Sequence, residues 1–161
     1  MDKKRGQIEL SFGMIFSILA IISIIAIGFY VIRVFLELNK CTDIGYFYEK
    51  LANEVDKAWK SPIYRGSFKG QLPGKIEKVC FGDLNGDFDE DYENIYKELR
   101  RYAVLEKNVF MHPIKEACEE LAYYKLEHVN IEEFFCADVI NSEASIKLEK
   151  GSTDALVKLT K

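Results

Sequence analysis

Four cysteines carry the most specific chemistry in this 161-residue chain: Cys41, Cys80, Cys118 and Cys136. Thiols in an even number can close as two disulfides in an oxidising compartment, or they can hold zinc as thiolates. Zinc is disfavoured: no Cys-x-x-Cys spacing occurs, and His112 and His128 stand apart from the cysteines. Three disulfide pairings are possible. Cys80 and Cys136 both lie in candidate strands, which favours joining them, and Cys41 with Cys118 would then clip the following domain to the helix before it. Neither histidine accompanies a Ser or Cys in a nucleophile motif. There is also no Gly-rich phosphate loop, His-Glu-x-x-His or Gly-x-Ser-x-Gly. No catalytic residue, metal ligand or cofactor is therefore expected.

The carboxylates need separate attention. Asp83, Asn85, Asp87 and Asp89 alternate as calcium ligands would. An EF-hand loop beginning at Asp83 requires Gly at its sixth place and Glu at its twelfth, where this chain has Phe88 and Asn94. Residues 83–91 read better as a polar turn whose charge suits the start of a following helix. Glu119-Glu120 and Glu132-Glu133 read as a solvated face. Tyr46, Tyr48, Tyr123 and Tyr124 could line a contact surface, but such residues more often complete a small core. From Cys41 to Lys161 there are 17 Lys and Arg against 23 Asp and Glu, a net charge of −6. That charge repels phosphate backbones, so no nucleic-acid partner is expected.

The elements that must carry these residues follow from periodicity. Phe12 to Ile32 is a 21-residue run without a charged side chain. As a helix it spans about 30 Å, the thickness of a bilayer's hydrocarbon core. Lys3, Lys4 and Arg5 precede it directly, which predicts a cytoplasmic N-terminus and an extracytoplasmic remainder. A cleaved secretory signal with its site at Ala26-Ile27-Gly28 is the competing reading. It would leave Phe29 to Leu36 as a sticky mature end. Beyond a break at Asn39-Lys40-Cys41-Thr42, Ile44, Phe47, Leu51, Val55 and Trp59 place one apolar stripe on a helix that Pro62 ends.

Residues 61–82 read as strands and turns around Pro73-Gly74, with a strand over Ile76–Phe81. A helix is expected over Tyr92–Tyr102 with Ile95 and Leu99 inward, a strand over Asn108–Met111, and helical turns over Pro113–Leu121. Phe134–Ile140, Ser145–Lys150 and Ala155–Thr160 read as an antiparallel meander with one solvated face. The expected fold class is α+β. A long N-terminal transmembrane helix continues to an amphipathic helix, which packs against a small antiparallel β-sheet with helical insertions.

The opening, Lys3-Lys4-Arg5-Gly6-Gln7-Ile8-Glu9-Leu10-Ser11-Phe12, resembles the class III signal peptide of archaeal type IV pilin-like proteins. The resemblance covers residues 3–60. It implies that a prepilin-type peptidase cuts after Gly6 on the cytoplasmic side and leaves Gln7 as the mature N-terminus. It also implies that Glu9 neutralises a neighbouring subunit's new amine during assembly. The family usually places the Glu fifth and a Ser third in the mature chain; here Glu9 is third and Ser11 fifth. The implied organisation is a leader over 1–6, a membrane helix over 7–40 and an extracytoplasmic domain over 41–161. The implied partners are the membrane, the peptidase, and copies of the chain or other pilin-like subunits. More loosely, the opening is similar to that of uncharacterised small archaeal single-pass membrane proteins. A monomeric tethered domain that binds a ligand or partner outside the cell is the alternative.

Overall fold

The computed structural model describes residues 12–86, 88 and 90–161. The chain divides into two compact units after Leu38. One helix, α1 (Phe12–Lys60), contributes to both. The break expected at residues 39–42 does not occur. None of these residues is Gly or Pro, so nothing in the backbone opposes continuation. Lys40 is also ion-paired to Glu116 at 4.0 Å, and Cys41 is disulfide-bonded. Thr42 and Asp43 are consequently interior helical residues. Pro62 disfavours helical geometry at Ser61, and α1 ends at Lys60 as its sequence implies. The Lys150 ammonium reaches the carbonyls of Trp59 and Ser61, placing a positive charge where the helix dipole is negative.

Among the described residues eight strands follow α1. They are β1 (Tyr64–Gln71), β2 (Lys78–Phe81), β3 (Val109–His112), β4 (Tyr123–Tyr124), β5 (Val129–Asn130), β6 (Phe135–Ile140), β7 (Glu143–Lys150) and β8 (Val157–Thr160). Helix α2 (Glu93–Leu99) lies between β2 and β3 in the chain. The architecture is α+β, with helix packed on a mostly antiparallel sheet. β7 is its organising strand. One of its edges pairs with β1 along the full length, from Tyr64↔Lys150 to Gln71↔Glu143. The other is shared by β6 at Ala144 and Glu143 and by β8 from Lys147 to Glu149. A tight turn at Asn141-Ser142 joins β6 to β7. Both residues have left-handed φ, 52° and 63°, as a two-residue hairpin turn requires. From β6 the sheet continues through β2 and β3 to β4, all antiparallel, while β5 adds to β8 in parallel.

Strand alternation divides the core in two. Val79 and Phe81 of β2, Val109 and Met111 of β3, and Ala137 of β6 face one way. They join Ile44, Phe47, Leu51, Val55 and Ala58 of α1 and Ile146 and Leu148 of β7. Cys80, Phe110 and Cys136 face the other way, onto Tyr96 and Leu99 of α2. The central strands are thus buried on both faces, whereas Lys147 and Glu149 of β7 are exposed. Trp59, expected on the buried stripe, is only half-buried. Ala58 takes the core position, and the indole stacks on His128 at 3.8 Å. Two glycines are dictated by close approach. A Cβ on Gly70 would lie 2.5 Å from the Phe47 ring. One on Gly82, whose φ is +136°, would lie 2.8 Å from the Phe134 backbone.

Candidate functional site

The segment Phe12–Leu38 is the most unusual surface among the described residues. Its side chains are exposed throughout, apart from a half-buried Ala20. They include Phe12, Ile15, Phe16, Ile18, Leu19, Ile21, Ile22, Ile24 and Ile25. From Phe12 to Ile32 the helix is apolar on every face, which is what a hydrocarbon surrounding selects; Arg33 and Glu37 follow that run. The two serines within it behave accordingly. Ser17 Oγ donates to the Gly13 carbonyl and Ser23 Oγ to the Leu19 carbonyl, each at 2.8 Å. Both hydroxyls are satisfied four residues back on their own helix, which removes the penalty of burying them in lipid. By length and composition α1 can cross a membrane. Gly6, Gln7 and Glu9, the residues implied in processing and assembly, lie outside the described residues.

The second unit holds the four cysteines as two disulfides. Cys41 is bonded to Cys118 with their Cα atoms 5.6 Å apart, and Cys80 to Cys136 with theirs 4.0 Å apart. Cys80 and Cys136 face each other in register across β2 and β6 and are fully buried. Cys41 and Cys118 are half-buried. An apolar helix together with two closed disulfides describes a membrane-anchored protein with an oxidised extracytoplasmic domain.

The remaining candidate residues are drawn into structural work. Asp83 Oδ1 accepts a hydrogen bond from the Asn85 backbone amide at 2.9 Å, closing a local turn. Tyr96 donates its hydroxyl to the carbonyls of Leu84 and Gly86 and stacks on Phe88, fixing the same loop to α2. Asp87 and Asp89 lie outside the described residues. Tyr48 is buried, donates to the Leu121 carbonyl at 2.9 Å, and stacks on Tyr124 at 4.7 Å. Burial, and then the neighbouring Tyr124, push its hydroxyl above the usual tyrosine range. Tyr46 is exposed, with the Lys50 ammonium 4.3 Å from its ring centre. His112 Nδ1 is 4.0 Å from a Glu98 oxygen. No three His, Cys, Asp or Glu side chains among the described residues are grouped to hold a metal. A surface recess of about 480 Å³ brings together Asp83, Asn85, Glu106, Lys107, Asn108 and Lys125. Its mixed charge contains no nucleophile with a paired base.

One charged cluster was invisible in the sequence because its members are distant along the chain. Asp138 on β6 accepts from Lys78 on β2 and from Lys161 at 3.1 Å, and Lys161 also donates to the Tyr92 hydroxyl at 3.0 Å. The hydrogen bonds from Lys78 and Lys161 hold the Asp138 carboxyl below the usual carboxylate range. A depressed folded-state pKa stabilises above the unfolded value, about 3.9, and the contribution disappears as pH falls through the folded value. The Asp138 side chain is 40% exposed, so solvent screening limits the effect to about 0.5–1 kcal/mol. Asp138→Asn is expected to lose that amount in urea denaturation at pH 7. At a lower pH the deficit should shrink, as the folded-state carboxyl takes up its proton. An equal deficit at both pH values would mean that packing, and not charge, accounts for it.

No protein-family model matches the chain, and no curated protein or solved structure matches it.

Proposed function

We propose that the chain is a type IV pilin-like or pseudopilin subunit, anchored in the membrane by α1 and assembling with copies of itself or with other pilin-like subunits. The observation that supports this most directly is the change of character along one unbroken helix. Phe12–Ile32 is apolar on all faces, whereas Ile44, Phe47, Leu51, Val55 and Ala58 place a single stripe in a sheet-backed core. A subunit spine needs both properties: a segment that exchanges lipid for like neighbours, and one that carries a folded head. In this reading Lys3, Lys4 and Arg5 hold the N-terminus in the cytoplasm until a prepilin-type peptidase cuts between Gly6 and Gln7. Glu9 then compensates a neighbouring amine inside the apolar bundle, where an unpaired charge is costly.

Intact mass and N-terminal sequencing of the protein from its native membrane test the reading. The expected mature chain begins at Gln7. Gly6→Val should leave only the uncut precursor, and Glu9→Ala should be cut normally yet fail to sediment as a polymer. A native chain that still carries Lys3 to Gly6 would overturn the proposal and leave the monomeric tethered domain as the working description.

A further inference from the structure

The two disulfides differ in ways that bear on redox chemistry. Cys80–Cys136 joins two central strands, and both residues have no exposed surface. It is covered by Leu84, Tyr96, Leu99, Phe110 and Phe134. A reductant reaches it only when the sheet opens. Cys41–Cys118 is half-buried and joins two peripheral segments. One is the turn of α1 that precedes Ile44, the first buried residue of that helix. Within that turn Asn39, Thr42 and Asp43 are exposed. The other is the irregular stretch between β3 and β4, which contains a single 3-10 turn, Ile114–Glu116. Noncovalent contacts also draw this stretch toward α1. Lys40 meets Glu116 at 4.0 Å, and Tyr48 donates to the Leu121 carbonyl. A surface ion pair of that length contributes little; Lys115, Glu119 and Glu120 are exposed, while Ala117, Cys118 and Leu121 are half-buried against the core and Ala122 is buried.

We propose that Cys41–Cys118 is a reducible clasp in the folded protein: a dithiol of the thioredoxin chemical class opens it and frees the Asn39–Asp43 turn from residues 113–120, while Cys80–Cys136 stays closed. In this exchange a thiolate of the reductant attacks one sulfur, forming a mixed disulfide and releasing the other cysteine as a thiol. The reductant's second thiol then displaces the remaining protein sulfur. Two electrons and two protons pass to Cys41 and Cys118, and the reductant leaves as its own disulfide. The described residues hold no free cysteine, so no internal thiol competes for the exchange. The clasp does not depend on whether the chain polymerises.

The test uses the full-length chain in detergent or nanodiscs, without denaturant. The protein is treated with dithiothreitol for graded times, quenched with N-ethylmaleimide and peptide-mapped. Cys41 and Cys118 should be labelled together, about 100-fold faster than Cys80 and Cys136, the ratio expected between access in the native state and access through sub-global opening. The doubly labelled species should gain amide exchange over residues 39–43 and 113–120 and tryptic cleavage after Lys115, with protection of β2, β3 and β6 unchanged. The Cys41→Ser/Cys118→Ser variant should show the same exchange pattern without reductant. Labelling of all four cysteines at one rate would overturn the proposal. So would reduction of Cys80–Cys136 first, or reduction of the clasp with no change over those residues in either protein.

Discussion

Replacing Cys80 and Cys136 together by alanine is expected to lower the stability of the outer domain by about 4–6 kcal/mol. The bond closes a sequence separation of 56 residues. Loop-closure entropy for a loop of that size amounts to about 4 kcal/mol. Both sulfurs are fully buried, so truncation also leaves space beside Phe110, Tyr96 and Leu99, at a further cost of about 1–2 kcal/mol. Typical domains are stable by about 5–15 kcal/mol, so the variant should be at the margin of folding. The matched loss for Cys41→Ser/Cys118→Ser should be smaller, about 2 kcal/mol, although that bond spans 77 residues. Opening it frees a peripheral turn in the native state too, which offsets part of the entropy gained on unfolding. Urea denaturation of both variants measures the difference. Equal losses would show that chain entropy alone governs both bonds. The losses are not expected to add, because the two loops interlock along the chain.

Phe47→Ala should have the next largest effect, about 3–5 kcal/mol. The ring is 1% exposed and sits edge-on to Phe68 at 5.4 Å and to Tyr48 at 5.9 Å. It also occupies the space above Gly70, which gives the prediction a sharper form. Gly70→Ala alone forces a methyl to 2.5 Å from the Phe47 ring and 2.8 Å from Phe68, at about 1–3 kcal/mol. In the Phe47→Ala background the contact with the Phe47 ring is gone and the Phe68 ring has room to yield, so the double variant should be more stable than the sum of the single losses implies. A coupling of about 1–2 kcal/mol in a double-mutant cycle is expected. A coupling near zero would mean that β1 moves away from α1 to admit the methyl, independently of the ring.

The amphipathic stripe of α1, the stop before Pro62 and the alternation in β7 were all legible in the sequence, because each is a local repeat that one packed face enforces. The continuity of α1 was not. Asn39-Lys40-Cys41-Thr42 reads as a polar interruption, and what holds it helical includes a bond to Cys118 from a distant segment. β4 and β5 contain two residues each, too few for any period to register. They exist as strands because β3 and β8 present edges to them. The double burial of β2 and β3 was half legible. Val79 and Phe81 could be assigned one face, but burial of Cys80 on the other depends on α2, where Tyr96 is buried and Ile95 is not. Tyr96 takes that place because its hydroxyl finds two loop carbonyls. The Asp138 cluster, drawn from β6, β2 and the region after β8, has no local signature at all.

The position of β7 between β1 and β8 also sets when the protein can fold during its synthesis. β1 finds its partner about eighty residues later in the chain, at Tyr64↔Lys150 and its neighbours, and β8 supplies the last paired residues through Thr160. A ribosome delivers the chain from its N-terminus. The apolar helix is therefore made while β1 is still without the strand it needs. Such long-range pairing is slow to form. The order of synthesis thus separates completion of the apolar helix from sheet closure in time, and the growing head passes through its most aggregation-prone stage with that helix already made.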